Sequence, residues 1–159
     1  MVNHSLLTPE QFEQLLPLAA AWAEEQETRI LAAGTPLNPA HLADASRLGV
    51  IKPERVRLLA VISIPAPDDP LLRAAGEATG LISPLTAGLT LRHGIFIRGD
   101  LIEDRRLIAH ELVHTAQYER FGSVAAFLRQ YLSECLTVGY PTAPLEQEAI
   151  VRSGKLFES

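Results

Sequence analysis

His110, Glu111 and His114 form an H-E-x-x-H run, a spacing at which two imidazoles and a carboxylate can serve one metal ion. An α-helix turns through about 3.6 residues, so side chains at i and i+4 stack on one face and both rings reach the same tetrahedral cation. Glu111, between them, then flanks the solvent position of that cation. With 5 His and 14 Glu among 159 residues, shuffled chains show the pattern about once in a hundred. A hydrolytic centre therefore also needs a third ligand downstream and a strand upstream.

The flanking residues predict the helix. Glu103 and Asp104 suit its positive end, with Asp104 serving near its start, and Arg120 followed by Gly122 reads as its stop. Leu107, Ile108, Leu112, Val113 and Ala116 recur at helical spacing and would face a core. A lone histidine on such a helix is ordinarily a core or surface residue. The pair with Glu111 between them reverses that expectation.

The third ligand comes from farther along. Val124 to Leu136 reads as a second helix carrying Phe127, Leu128, Tyr131, Leu132 and Cys135 on its apolar face. Gly139-Tyr140-Pro141-Thr142-Ala143-Pro144 forces a turn, and another helix starts at Leu145. Glu146 and Glu148 are the candidates. Two residues apart, they point to different faces, so one of them at most faces the metal; either is also an ordinary solvated glutamate of a first turn.

The run from Gly94-Ile95-Phe96-Ile97 through Leu107–Tyr118 to Pro144–Ala149 resembles the small soluble gluzincin metallopeptidases. It is similar as well to bacterial domains of unknown function with an H-E-L-x-H-x-x-Q helix and a later E-x-E-A segment. The resemblance implies a zincin-like fold, a Zn²⁺ cofactor and Glu146 as the third ligand. In larger, membrane-embedded relatives with E-x-x-A-D, the first Glu of that segment binds the metal. The chain departs from those relatives at Ile150, where they carry an Asp that orients a liganding histidine. Glu134, Glu148 or a backbone carbonyl must take over that role.

Upstream, Leu89 to Arg98 is β-prone and ends at the Gly99-Asp100 turn signal. Gly94 weakens a regular strand and admits a bulge or a break into two strands. In zincins the strand before the active-site helix is the sheet edge beside the cleft. An extended polypeptide can add to such an edge through main-chain hydrogen bonds. His93 is then a candidate to point into the cleft, its alternative being a surface histidine in a turn.

Two neutral imidazoles and one carboxylate leave a fourth position for water, whose pKa zinc lowers toward ~7. Glu111 would take a proton from that metal-activated water and pass it to the leaving amine, hydrolysing a peptide bond. Tyr140, held between a glycine and two prolines, and then His93 are the candidates to steady the developing oxyanion.

The rest of the chain predicts an α+β fold: a zincin-like domain with a small mixed sheet, the active-site helix after an edge strand, and additional amino-terminal helices. One domain spans 1–159, with a helical part over 1–55 and the strand and active-site core over 56–159. Thr8-Pro9-Glu10-Gln11 matches a capping box, opening a helix with Phe12, Leu15, Ala19, Trp22 and Ala23 on one face. Pro17 should kink or divide it, and Gly34 ends it. Trp22 is expected to pack in the core. A shorter helix follows from Asn38-Pro39 to Leu48, then a buried strand over Val56 to Ile64 and a helix over Leu71 to Thr79.

A net charge of -5 and a pI near 5.5 argue against a nucleic-acid platform. The single cysteine, Cys135, excludes an internal disulfide and reads as a small apolar packing residue. No run approaches the ~20 apolar residues of a membrane span. Met1-Val2-Asn3-His4-Ser5 lacks the start of a signal peptide, so the expected address is cytoplasmic and the expected partner a polypeptide substrate, with the oligomeric state open. Two other functions fit the sequence. One is a catalytically silent zinc-binding or assembly domain, as in secretion or toxin machinery, which leaves Glu111 without a purpose. The other is a regulatory metallopeptidase that cleaves a repressor, any DNA contact lying on another chain.

Overall fold

A computed structural model describes residues 7–158. Met1–Ser5, read above for a targeting signal, lie outside the described residues. The architecture is α+β: among the described residues six α-helices pack with a four-stranded mixed sheet. Among the described residues no helix is long and apolar enough to cross a membrane.

Helix α1 (Pro9–Ala33) begins at the expected capping box, with Thr8 Oγ1 accepting from Gln11 N and Gln11 Oε1 accepting from Thr8 N. Its 25 residues run through Pro17, which does not divide it. Pro17 removes one backbone donor, but Pro17 and Glu13 both lie on the exposed face, where a carbonyl without that bond can be hydrated. Helix α2 (Pro39–Arg47) starts at the Asn38 cap, and α3 (Pro70–Thr79) at the Asp69 cap.

The sheet runs in the order β1 (Thr35–Pro36), β2 (Arg57–Val61), β4 (Gly94–Arg98), β3 (Gly88–Leu91). Strands β2 and β4 are parallel, and the two outer strands pair antiparallel. The segment from Leu89 to Arg98 is thus a hairpin, not one strand: Leu91 pairs with Gly94 across Arg92 and His93, and Arg92 takes a left-handed φ of 60°. The break into two strands thus falls just before Gly94, which opens β4 without a bulge; a Cβ there would come within 2.9 Å of the Ile30 Cβ of α1. The glycine is the condition for that close approach of helix to sheet.

Strand β4 divides the core by its two-residue period. Phe96 packs with Leu15, Ala19, Ala23 and Ile30 of α1 and with the α5 face, while Ile95 and Ile97 pack with Ile108, Leu112 and Val113. Helix α4 (Arg105–Phe121) carries the latter three, so the H-E-x-x-H helix lies against the sheet face opposite α1. Helices α5 (Val124–Val138) and α6 (Pro144–Leu156) complete the fold; the strand directly before α4 is the inner strand β4 and not the expected edge, because the hairpin places β3 outside it.

Candidate metal centre

Helix α4 is fixed at both ends. Asp104 accepts from Leu107 N at 3.0 Å at its start, and Gly122 closes it with a left-handed φ of 89°. Its apolar stripe anchors the register, which leaves His110, Glu111 and His114 facing Glu146 and the residues of β3 and α5. Glu146 sits in the first turn of α6. Ala143, at the cap position, offers that helix no side-chain acceptor, and Glu134 of α5 fills the role by accepting from Leu145 N at 2.8 Å. One carboxylate thereby ties the start of α6 to α5 and sets where Glu146 stands.

His110 Nε2 lies 2.6 Å from Glu146 Oε1, and His114 Nε2 lies 3.1 Å from Glu146 Oε2. The three residues offer ligand atoms within 4.8 Å of one another. Two imidazole nitrogens and one carboxylate oxygen are a donor set suited to zinc. A tetrahedral ion with bonds near 2.1 Å would hold its donors about 3.4 Å apart, so the His114–Glu146 pair would open by about 0.3 Å and the His110–Glu146 pair by about 0.8 Å. His114 and Glu146 are buried, whereas the His110 side chain keeps 20 % of its surface exposed and opens the site to solvent.

Glu148 stands outside this cluster. Its carboxylate takes Gln117 Nε2 at 2.7 Å and the Arg120 guanidinium at 3.0 Å, which hold it below the usual carboxylate range, Arg120 foremost. That capture has a purpose. Gln117 gives its amide protons to Glu148 and to the Leu145 carbonyl, so its own Oε1 faces His114 Nδ1 at 2.8 Å. The network therefore assigns the proton to Nδ1 and directs the Nε2 lone pair at the metal position. Gln117 does the work of the missing acidic partner, three residues after His114, and Glu148 acts behind it. We expect Gln117→Leu to weaken metal binding by roughly 10- to 100-fold, with the fold intact by circular dichroism; competition against a zinc chelator reads it.

Glu111 is buried and is held by β3: Thr90 Oγ1 lies 2.7 Å from Glu111 Oε1 and 3.0 Å from the Glu111 carbonyl. Gly88 leaves room for the carboxylate, since a Cβ there would stand 3.2 Å from it. Tyr131 donates to Glu146 Oε2 at 2.9 Å from within the apolar face of α5, and Tyr140 reaches Glu146 Oε1 at 3.5 Å. Burial and the Glu146 charge push both phenols up, so both remain donors at neutral pH. Thr90, Gln117 and Tyr131 carry no site assignment in the sequence. Gln117 alone has a local signal, its i+3 spacing from His114.

His93 is a correction. The hairpin turn aims it away from the cluster: Nε2 lies 2.9 Å from Glu119 Oε2, and its backbone N–H donates to the buried Glu27. Glu27 also binds Arg92 through Nε and Nη2, and Glu119 accepts from Ile51 N and Lys52 N. His93 thus joins a buried polar network that ties α1, α4 and the hairpin together. Cys135 is buried as expected, its thiol pushed up to about 12 by burial and the nearby carboxylates, which makes it a poor nucleophile.

Two spaces meet at the cluster. An open cleft is lined by His110, Glu111, Tyr140 and Glu146 with Leu85, Thr86 and Ile150 at its sides. Behind it, a smaller apolar cavity reaches inward between α1, α3 and α5. Neither a protein-family model, nor a curated protein, nor a solved structure matches the chain.

The proton balance of the cluster gives its pH dependence. Burial pulls the His114 imidazole down, but hydrogen bonding to Glu146 and the Glu111 and Glu146 charges outweigh it and raise the pKa above 6.5. Burial likewise opposes ionisation of Glu146, and the two imidazoles win, holding the carboxyl well below 4.5. In the metal-free protein the raised His114 stabilises the fold fully below 6.5 and loses that contribution as pH rises through its folded value. The depressed Glu146 contributes above 4.5 and is lost as pH falls. A cation must displace the His114 proton, so its affinity grows with pH. Calorimetry in buffers of different ionisation enthalpy should show proton release on zinc binding near pH ~6.5 that declines as pH rises through the folded value of His114, while metal-free Tm falls over the same range.

Proposed function

We propose that this chain is a zinc-dependent peptidase that hydrolyses peptide bonds in an extended polypeptide, with Glu111 as general base. The observation that carries the reading is the convergence of His110 Nε2, His114 Nε2 and the Glu146 carboxylate beside a buried, non-liganding Glu111 on an open cleft. A structural site has no use for the fourth group. When bound at the three donors, a zinc ion supplies Lewis acidity, lowering the pKa of water toward ~7 and polarising a carbonyl.

The chain's own residues do the rest. Thr90 occupies Glu111 Oε1, which leaves Oε2, beside Gly88, to accept a proton from the attacking water and deliver it to the leaving amine. Tyr140 lines the cleft as a protonated donor and is placed to meet the oxyanion, a role worth roughly 3 kcal/mol where it has been tested. Tyr131, deeper, keeps Glu146 in place. Among the described residues strand β3 has no further strand on its outer side, so an extended substrate can pair with it and lie across the cleft.

The test is removal and return of the metal. Dialysis against a chelator should abolish cleavage of unfolded casein, and one equivalent of zinc should restore it. Zinc-loaded protein that turns over neither casein nor any member of a peptide library overturns the peptidase reading and favours a silent zinc-binding or assembly domain.

A further inference from the structure

We propose that Arg106 takes a carboxylate of the substrate on the carboxyl-terminal side of the bond to be cleaved, from an acidic side chain or a free carboxyl terminus; this deepens the peptidase reading and rests on it. Arg106 stands on α4 one turn before His110, a spacing that sets two side chains about 5–6 Å apart on one face, and both line the open cleft. Among the described residues it is the one lysine or arginine that does so.

Its neighbour Arg105 is already committed, donating through Nε and Nη2 to the buried Asp44 at 2.7 Å each. Arg106, in no ion pair among the described residues, lies instead over the Phe157 ring, 4.5 Å from the centroid. Phe157 in turn packs against the core cluster that holds α4. A guanidinium stacked on a ring is held by its face, which leaves the in-plane N–H fork free to meet a carboxylate with two hydrogen bonds.

Two contacts give the direction. Thr90 meets Glu111, and the Arg92 carbonyl accepts from Thr115 Oγ1 at 2.7 Å, so α4 runs alongside β3 in the same sense and its start lies beyond the Gly88 end. An extended chain added antiparallel to β3 then points its carboxyl end toward Arg106. At ~3.4 Å per residue, the carboxylate belongs to the first or second residue after the cut. The acidic groups of the cleft do not forbid an anion there. Asp104 is two residues from Arg106 and is engaged as the helix cap, accepting from Leu107 N at 3.0 Å. With a divalent ion bound, the charges of Glu111 and Glu146 are balanced, so the centre itself does not repel a carboxylate.

Sites cut in unfolded casein, mapped by mass spectrometry, supply a parent peptide. Zinc-loaded wild type should cleave peptides with Glu at the first or second position after the cut roughly 5- to 10-fold faster, in kcat/KM, than those with Gln, between the contributions of an exposed ion pair and of a charge-assisted hydrogen bond. Lys there should be slower still, and raised salt should narrow the difference. Peptides truncated at the same positions, as free acid and as amide, separate a carboxyl terminus from an acidic side chain. Arg106→Gln should erase the preference through KM, because the contact is remote from the reacting atoms, and Arg106→Glu should invert it toward Lys. Fluorescence anisotropy of labelled Glu, Gln and Lys peptides on zinc-loaded Glu111→Gln protein should give the same order without catalysis.

Equal rates for the three residues and for acids and amides overturn the inference and leave the peptidase reading intact. So does a preference that Arg106→Gln leaves in place. Turnover of no peptide at all overturns the peptidase reading and this inference with it.

Discussion

Glu111→Gln should keep its metal and its fold while losing turnover by about 10²- to 10⁴-fold, the range expected when a positioned general base is removed. The substitution is nearly isosteric. Thr90 Oγ1 can donate to the new amide oxygen as it does to the carboxylate, and Gly88 leaves the same room beside it. None of the three proposed donors is touched, since they belong to His110, His114 and Glu146. What disappears is the proton acceptor. One side effect is expected: Glu111 is among the charges that raise His114, so its neutralisation lowers that imidazole's pKa and slightly favours metal at acidic pH. Elemental analysis and casein hydrolysis on the same preparation read both properties. Activity within a few-fold of wild type would place the base elsewhere, and loss of metal would give Glu111 a structural part.

The site divides into what local geometry dictates and what only tertiary packing decides. The pairing of His110 with His114 is local, because helical periodicity alone puts them on one face, and Asp104 and Gly122 mark that helix in the sequence. The choice between Glu146 and Glu148 is not local. It depends on Gln117 and Arg120 of α4 capturing Glu148 across the α4 and α6 contact. Tyr131 was hidden for a similar reason, since on an amphipathic face a phenol and a phenyl ring satisfy the same pattern, and only the approach of Glu146 gives the hydroxyl a task. His93 misled because its partner, Glu119, is 26 residues away and arrives through packing of α4 on the hairpin.

Backbone signals behaved in the same way. Capping residues were legible at Thr8, Asn38 and Asp104, where the acceptor lies within three residues of its donor. Division of α1 at Pro17 was overread, because the effect of a missing donor depends on whether its acceptor faces water, which sequence spacing does not state. Gly94 carried a correct warning with an ambiguous meaning. Its reason is Ile30, 64 residues earlier, pressed against the strand.

Glu146→Ala and Glu148→Ala should separate a ligand from a support. Removing Glu146 deletes one of three donors, leaves the buried Tyr131 hydroxyl without its acceptor, and takes from His114 the main partner that opposes its burial. Zinc affinity should fall by more than ~100-fold, beyond the range that outer-sphere partners command. Removing Glu148 touches no donor. Gln117 keeps its bond to the Leu145 carbonyl and so keeps its Oε1 toward His114, although with one restraint fewer. The loss there should stay near ~10-fold and vanish in a Glu148→Gln variant that can still accept from Gln117. Competition with a chelating dye gives both constants under one buffer. Equal losses in the two alanine variants would mean that Glu146 does not bind the ion, and the general-base role of Glu111 would then lose the centre it is meant to serve.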